Sequence, residues 1–218
     1  MTSMRTKPIT FVLAALLWTA AAERTLAITY TPLDYPGSHS TFANGIDGNN
    51  VVGDYSDSSG IFHGFLYNGT TYTTLDDPRA TNGTIARGIS GGNIVGFYYN
   101  SPVTHGFLYD GTTYKTLDFP GASQTSAFGI DGHNIVGVYS DGSKNHGFLY
   151  DGTTYTTLDD PLATTGTRAH GIDGNNIVGF STGRGGFLYD GTTYTALDLS
   201  TFAFGIDGGQ ASTGSSFR

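Results

Sequence analysis

The chain has 218 residues, a formal net charge of −8 at pH 7 and no cysteine. Its 33 glycines, 14 tyrosines and 14 phenylalanines, with only 13% charged residues, exclude a helical protein, whose surface would be rich in Glu, Lys, Ala and Leu. Regularly placed aromatic residues that can bury a core exclude a disordered chain. The acidic balance disfavours nucleic acid and anionic membranes as partners, and a cysteine-free fold must hold together without disulfides.

Residues 1–27 differ from the rest of the chain and have the layout of a secretory signal peptide. A basic start precedes an apolar run over residues 9–22, and small residues follow, as at a signal cleavage site. Cleavage is expected after Ala22 or after Ala27, and the sequence does not choose between them. An uncleaved anchor is the alternative, but the run is short for a membrane-spanning helix. The sequence predicts a secreted or cell-surface protein with no membrane insertion after cleavage.

From residue 28 onward the chain is a tandem repeat of about 42 residues. Two motifs mark the units: Gly-Phe-Leu-Tyr begins at Gly64, Gly106, Gly147 and Gly186, and Gly-Ile-Asp or Gly-Ile-Ser begins at Gly45, Gly88, Gly129, Gly171 and Gly205. Each full unit divides into four strand-like runs joined by turns such as Asp-Gly, which favour the positive φ that tight hairpins need. Four antiparallel strands per repeat of ~40 residues are typical of a propeller blade.

The sequence therefore predicts an all-β protein, a β-propeller of four-stranded blades with about five blades. Residues 28–207 form the repeat domain, and residues 208–218 are expected to be a C-terminal tail because they hold no clear copy of the second or third strand. Residues 28–34 carry only the fourth-strand motif and residues 201–207 only the first-strand motif. We therefore expect the N-terminal strand to close an incomplete last blade. A β-solenoid or an open repeat array is the alternative architecture.

The recurring segments Gly-Ile-Asp-Gly-Asn-Asn-Ile-Val-Gly and His-Gly-Phe-Leu-Tyr-Asp-Gly resemble those of the HAF-repeat family of bacterial extracellular proteins, which takes its name from a His-Ala-Phe motif. Here the motif is His-Gly-Phe at His63, His105 and His146, and Gly-Gly-Phe at Gly185. The resemblance covers residues 28–207. It implies an exported bacterial repeat protein, and it implies no activity because the family is defined by its repeats.

Three histidines, His63, His105 and His146, begin equivalent strands and are candidate ligand-binding residues. Equivalent positions in successive blades should be separated by about the ~10 Å spacing of packed sheets. They cannot then share one zinc ion at ~2.1 Å. The alternative is that each histidine caps a strand and bonds a neighbouring loop. The sequence predicts no metal site and no cofactor.

The aspartates occupy equivalent positions of the repeat and do not indicate catalysis. Turn chemistry explains two of the sets, and an active site needs groups that differ in role and environment. Residues 28–218 contain no glutamate, whereas glycosidases pair two carboxyl groups with different roles. The protein is therefore expected not to be an enzyme, and a glycoside hydrolase is the least favoured function.

Two binding functions remain open. The first is a non-catalytic repeat module for extracellular or cell-surface interaction, with another extracellular protein as partner. The alternative is a multivalent, lectin-like propeller in which a tyrosine of each repeat stacks on a glycan. These candidate ligand-binding tyrosines are Tyr72, Tyr114, Tyr155 and Tyr194. Individual chemistry is expected where the repeats disagree, as at Lys115, at Gly185 and in the loops before the third strands. No sequence feature indicates an oligomeric state.

Overall fold

The fold of this chain is taken from a computed structural model that describes residues 31–198 and 201–215. The predicted signal peptide lies outside these residues. The chain separates into two units, Met1–Pro32 and Leu33–Arg218, and every strand discussed below belongs to the second unit. Within the described ranges, no helix is long and apolar enough to cross a membrane.

Four antiparallel sheets of four strands each, and one sheet of two strands, follow one another along the chain. Blade 1 consists of β1 (Ser40–Asp47), β2 (Asn50–Ser56), β3 (Phe62–Tyr67) and β4 (Tyr72–Leu75). Blade 2 consists of β5 (Thr84–Ser90), β6 (Asn93–Asn100), β7 (Val103–Tyr109) and β8 (Tyr114–Leu117). Blade 3 consists of β9 (Gln124–Asp131), β10 (Asn134–Ser140), β11 (Asn145–Tyr150) and β12 (Tyr155–Leu158). Blade 4 consists of β13 (Thr167–Asp173), β14 (Asn176–Ser181), β15 (Gly185–Tyr189) and β16 (Tyr194–Asp198), and blade 5 of β17 (Thr201–Asp207) and β18 (Gln210–Ser215).

The first strand of each blade is the inner strand and faces a shared central channel. Side chains of β1, β5, β9, β13 and β17 line the same cavities. Neighbouring inner strands approach so closely that a Cβ on Gly129 would lie 2.7 Å from the His170 carbonyl oxygen of the next blade. The glycine of the Gly-Ile-Asp motif is therefore required by packing between blades. The protein is a β-propeller, as the sequence predicts.

The hydrophobic core is divided into clusters that lie between successive blades. Val95 and Leu117 of blade 2 pack with Ile135 and Phe148 of blade 3. Similar clusters join blade 1 to blade 2 and blade 3 to blade 4. Phe148 is fully buried. Truncating such a side chain to alanine lowers the unfolding free energy by about 3–5 kcal/mol. No blade buries its apolar face alone, so the repeats stabilise one another.

Hydrogen bonds between the inner hairpin turns also join successive blades. In each case the last residue of an inner strand accepts a bond from a glycine N–H in the turn of the next blade. The four bonds run from Gly91 N to Asp47 Oδ2 (2.7 Å), from Gly132 N to Ser90 Oγ (3.1 Å), from Gly174 N to Asp131 Oδ2 (2.8 Å) and from Gly209 N to Asp173 Oδ2 (3.1 Å). The aspartates assigned to turn chemistry therefore also hold neighbouring blades together.

Blade 5 has two strands in the described residues, and one of them was not predicted. The Gly208-Gly209 turn, with φ of +54° and +74°, returns the chain onto β17. Residues 210–215 therefore form a strand where a tail was expected. A β-strand needs only a backbone partner, so no copy of the Ile-Val-Gly motif is required here. The predicted closure by residues 28–34 begins outside the described residues and stays a prediction.

One side of blade 1 is left uncovered by the described residues. Ile46 is 70% exposed, whereas the equivalent Ile130 is 9% exposed. Ile130 packs on Gly88 of the preceding blade. Ile46 occupies the same position of its repeat, so it would pack on a preceding blade in the same way. We call the surface around Ile46 the open side of blade 1.

Candidate functional site

The inner strands share the pattern Thr-x-Ala-x-Gly-Ile, in which the two x positions differ from blade to blade. The constant positions build the fold. Ala127 is fully buried, and the Oγ1 of Thr84 accepts a 3.0 Å hydrogen bond from the Asp77 backbone N–H in the loop that crosses between blades. The variable positions do not make these contacts, and their residues differ from blade to blade.

A β-bulge occupies the second variable position of every inner strand. In β5, Ala86 pairs with Gly96 and Gly88 pairs with Val95, so Arg87 is the extra residue. A bulge bends the strand and re-aims the side chain at that point. In blade order the bulge residues are Asn44, Arg87, Phe128, His170 and Phe204. All five line one cavity of about 470 Å³, here called the axial cavity, together with Ala43 and Arg168.

The second strand of each blade makes room for the bulge with a glycine. A Cβ on Gly96 would collide with the Ile85 carbonyl oxygen and lie 2.9 Å from the Phe107 ring. Gly53, Gly137 and Gly179 occupy the same position in the other complete blades. The glycine of the Val-Gly pair in each repeat is therefore required by the bulge. The bulge in turn fixes the direction of the variable side chain.

On the side of blades 1 and 2, polar bulge residues are linked to a buried carboxyl group. Asn44 Nδ2 donates to Asp54 Oδ1 at 2.7 Å, and Arg87 Nη1 donates to Asn44 Oδ1 at 3.4 Å. Burial raises the pKa of Asp54, and the hydrogen bond from Asn44 and the charge of Arg87 act against that rise. Arg87 Nε is buried and has no hydrogen-bond partner in the described part of the chain. This guanidinium therefore keeps an unused donor.

On the side of blades 3 to 5, the wall of the axial cavity is aromatic. His170 stacks on Phe128 with ring centroids 4.8 Å apart and meets Phe204 edge-on at 5.6 Å. Burial, followed by the charges of Arg168 and Arg87, lowers the pKa of His170 to about 4. The imidazole is therefore neutral at pH 7 and offers one hydrogen-bond donor and one acceptor.

Three further cavities open between neighbouring blades and share residues with the axial cavity. Arg87 and Arg168 both line a cavity of about 330 Å³ that spans blades 2 to 4. A cavity of about 300 Å³ lies between blades 1 and 2 beside Asp54. A third, of about 530 Å³, lies between blades 4 and 5, where Phe180 stacks on Phe202 at 4.4 Å. The axial cavity therefore continues into clefts between the blades.

The four predicted ligand-binding tyrosines pack within the sheets. Tyr114 is typical, because its ring meets Phe107 edge-on at 5.4 Å and lies 4.5 Å from the Tyr109 ring. Burial raises its pKa. The same packing recurs at Tyr72, Tyr155 and Tyr194. These are the cross-strand pairs expected of aromatic residues in sheets. None of the four lines the axial cavity, and their role in ligand binding stays a prediction.

The three predicted histidines each belong to a Tyr–His–Asp unit within their own blade. His105 stacks on Tyr98 at 5.2 Å, and its Nδ1 lies 2.8 Å from Asp118 Oδ2. The equivalent units are Tyr55–His63–Asp76 and Tyr139–His146–Asp159. Each histidine thus ties its strand to the residue that follows the fourth strand, which matches the strand-capping alternative. Among the described residues, no group of three His, Cys, Asp or Glu side chains is placed to hold a metal ion.

The bulge residues were not singled out from the sequence. The sequence instead predicts individual chemistry at positions such as Lys115, which in the structure donates to the Tyr150 hydroxyl of the next blade at 3.0 Å. The available signal was the alternation of constant and variable positions in Thr-x-Ala-x-Gly-Ile. Where a variable residue lies between constant, buried residues, its side chain can change while the flanking residues keep their packing contacts.

No family model matches the chain, and no curated protein matches it. Among solved structures, it is similar to the six-bladed β-propeller Aleuria aurantia lectin, a fungal lectin whose structure concerns fucose recognition, at 16% identity and a TM-score of 0.43 over 73% of this chain. It is also similar to a mutant of that lectin in complex with α-methyl-L-fucoside, at 14% identity and a TM-score of 0.42 over 81% of this chain. The chain spans 60% of the length of the first lectin and 76% of the second. A similarity of this size assigns no ligand to the present chain.

Proposed function

We propose that this protein is a non-catalytic carbohydrate-binding propeller whose ligand occupies the axial cavity. The observation that carries this proposal is that five bulges point the differing side chains of the inner strands into one space. Five bulge residues of four types make a single asymmetric site. Binding at that site is distinct from the multivalent binding expected of four equal tyrosines.

The chemistry of the axial cavity suits a sugar. Aromatic rings at Phe128 and Phe204 can pack against the apolar face of a sugar ring. The neutral imidazole of His170 can both donate and accept hydrogen bonds, as hydroxyl groups require, whereas the Asn44 amide already donates to Asp54 and to the Ala86 carbonyl. The volume of about 470 Å³ falls within the range of ~300–1,000 Å³ found for small-ligand sites.

The arrangement of carboxyl groups favours binding over hydrolysis. Glycosidases place two carboxyl groups on either side of one bond, ~5–9.5 Å apart. Among the described cavities, the carboxyl-bearing residues Asp54 and Asp207 line different ones. The proposed location is outside the cytoplasm, and it rests on the predicted signal peptide of residues 1–27.

An extracellular protein partner is the second candidate, and the open side of blade 1 favours it. Ile46 is 70% exposed, whereas the equivalent Ile130 is 9% exposed between blades. A large apolar side chain exposed at a position that is buried in other repeats favours a surface that a partner covers. This candidate is compatible with a carbohydrate in the axial cavity, because the two surfaces use different residues.

A glycan array probed with the full chain tests the carbohydrate proposal. The variant Phe204→Ser should abolish retention of the glycan that the wild type binds, and its fold should persist because Phe204 is 56% exposed. Leu162→Ser is the matched control, because Leu162 is 65% exposed in a loop between blades. Retention of no glycan, or equal losses in the two variants, would contradict the proposal.

A further inference from the structure

Most basic residues of the propeller are engaged by other protein groups. Arg79 Nη2 lies 2.7 Å from Asp77 Oδ2, and Arg184 Nη1 lies 2.8 Å from Asp160 Oδ1. Lys115 donates to the Tyr150 hydroxyl of the next blade, and Lys144 Nζ lies 3.9 Å from an Asp159 carboxyl oxygen. In these places the positive charge stabilises the fold and is not free for a ligand.

Arg87 and Arg168 differ from these residues because they line a cavity, although Arg87 also contacts Asn44 and the Phe97 ring. Within residues 31–198 and 201–215, neither forms an ion pair, and both line the axial cavity and the cleft that spans blades 2 to 4. They belong to inner strands of blades 2 and 4, so blade 3 lies between them. Two cations without partner carboxylates therefore share one cavity in a chain whose formal net charge is −8.

Both guanidinium groups act on the same region of the cavity. After burial, the charges of Arg168 and Arg87 are the causes that hold the pKa of His170 well below its ordinary value. Asp54, the carboxyl group on whose pKa the charge of Arg87 acts, is 5% exposed and already accepts the Asn44 amide at 2.7 Å. Arg87 Nε remains buried without a hydrogen-bond partner among the described residues, so the site holds positive charge and a free donor.

We propose that the axial cavity selects sugars that carry a carboxylate, that is, uronic acids or similar acidic sugars. This inference rests on the proposed carbohydrate-binding function and names its ligand class. A planar carboxylate matches the planar guanidinium fork and forms short, charge-assisted hydrogen bonds with it. Phe128 and Phe204 then pack on the sugar ring while the arginines bind the acidic group.

The charge distribution also limits how acidic the ligand is. The aspartates of the surface turns surround the propeller with negative charge, which repels densely charged polyanions at long range. A ligand with one carboxylate per sugar is attracted by two arginines inside the cavity. It is repelled only weakly by the aspartates of the surface turns. The site therefore favours a sugar with one carboxylate per ring over a polyphosphate or a nucleic acid.

Isothermal titration of the full chain with trigalacturonate and with its neutral methyl ester tests the inference. We expect the free acid to bind at least about tenfold more tightly than the ester, since a charge-assisted hydrogen bond contributes roughly 1.5–3 kcal/mol. Arg168→Gln and Arg87→Gln should each remove that difference. Arg168 is exposed, so its variant should fold even if the Arg87 variant does not. Lys144→Gln makes the same charge change away from the cavity and should leave the affinity unchanged.

Three results would overturn the inference. Equal affinity for the acid and the ester would show that the carboxylate is not recognised. Equal effects of Arg168→Gln and Lys144→Gln would show that only overall charge matters. Displacement of trigalacturonate by an equal concentration of sodium acetate would assign the site to a bare anion. If the array shows binding of neutral glycans only, the carbohydrate function stands and the acidic class fails. If no glycan binds, both fail.

Discussion

The imidazole of His170 lies face to face on the ring of Phe128, with their planes 5° apart. These two residues occupy the same position of neighbouring repeats, and each is the extra residue of a β-bulge. Arg87 and Asn44 form the corresponding contact between blades 1 and 2 through a 3.4 Å hydrogen bond. The bulges therefore place unlike side chains of successive blades in contact at the channel wall.

The position of His170 predicts an acid-sensitive contribution to stability. Its pKa in the folded protein is about 4, below the ordinary value of 6.5, so the unfolded chain takes up the proton more readily. The contribution is fully present above pH 6.5 and is lost as the pH falls towards 4. We expect His170 to account for about 2 kcal/mol of the fall in unfolding free energy across that window.

Urea unfolding at pH 7.0 and pH 4.5 measures this contribution in the wild type and in His170→Phe. Phenylalanine occupies the equivalent bulges of blades 3 and 5, so the variant should fold and should lose less stability on acidification. An identical pH dependence in the two proteins would show that His170 is not the responsible group.

The bond from Gly174 N–H to Asp131 Oδ2 should contribute to the association of blades 3 and 4. Asp131→Ala leaves the glycine N–H without this acceptor, and we expect it to lower the unfolding free energy by about 1–2 kcal/mol. Asp131→Ser keeps an oxygen acceptor, as Ser90 does in blade 2, and should lose less than half as much. Denaturant unfolding of both variants is the measurement. Unchanged stability in the alanine variant would show that the turn bonds do not hold the blades together.

The Tyr–His–Asp units should behave as coupled groups. Blade 4 has Gly185 in place of the histidine and Ser181 in place of the tyrosine, so the two partners are absent together. A double-mutant cycle with Tyr98→Leu and His105→Ala should give a coupling energy of about 0.5–1.5 kcal/mol. Additive losses of unfolding free energy would mean that stacking at 5.2 Å contributes nothing beyond each residue's own packing.

The open side of blade 1 predicts unequal costs for the same substitution in two repeats. Ile130→Ala creates a cavity between blades and should cost about 2–4 kcal/mol. Ile46→Ala removes a side chain that is 70% exposed and should cost about 0.5 kcal/mol or less. Thermal or urea unfolding compares them. Equal losses would show that another segment or molecule covers Ile46 in solution.

The repeat motifs predict the propeller because strand period and turn chemistry are local properties. The Asp110-Gly111 turn, for example, lies between β7 and β8, and the Asp110 carboxylate accepts hydrogen bonds from the backbone N–H groups of Thr112 and Thr113. The alternation of residues such as Gly147, Phe148 and Leu149 follows from the period of a strand.

The bulges could not be located by the same reasoning. The bulge at Arg87 depends on Gly96 of the next strand, which lies against the Ile85 carbonyl, and on Gly88, which lies against the Phe128 carbonyl of the next blade. These contacts are not local in sequence. Nothing in the residue type marks a bulge, since Asn, Arg, Phe and His all occupy it. The β18 strand was missed for a related reason, because its pairing with β17 requires no motif.

The number of ligand molecules bound per chain tests the central claim most directly. Calorimetric titration of the full chain with the glycan selected on the array gives this number. A single axial site predicts one molecule per chain, with binding lost in Phe204→Ser and retained in Tyr155→Phe. About four molecules per chain, with binding that survives Phe204→Ser, would contradict the axial site and assign the ligand to the repeated tyrosines.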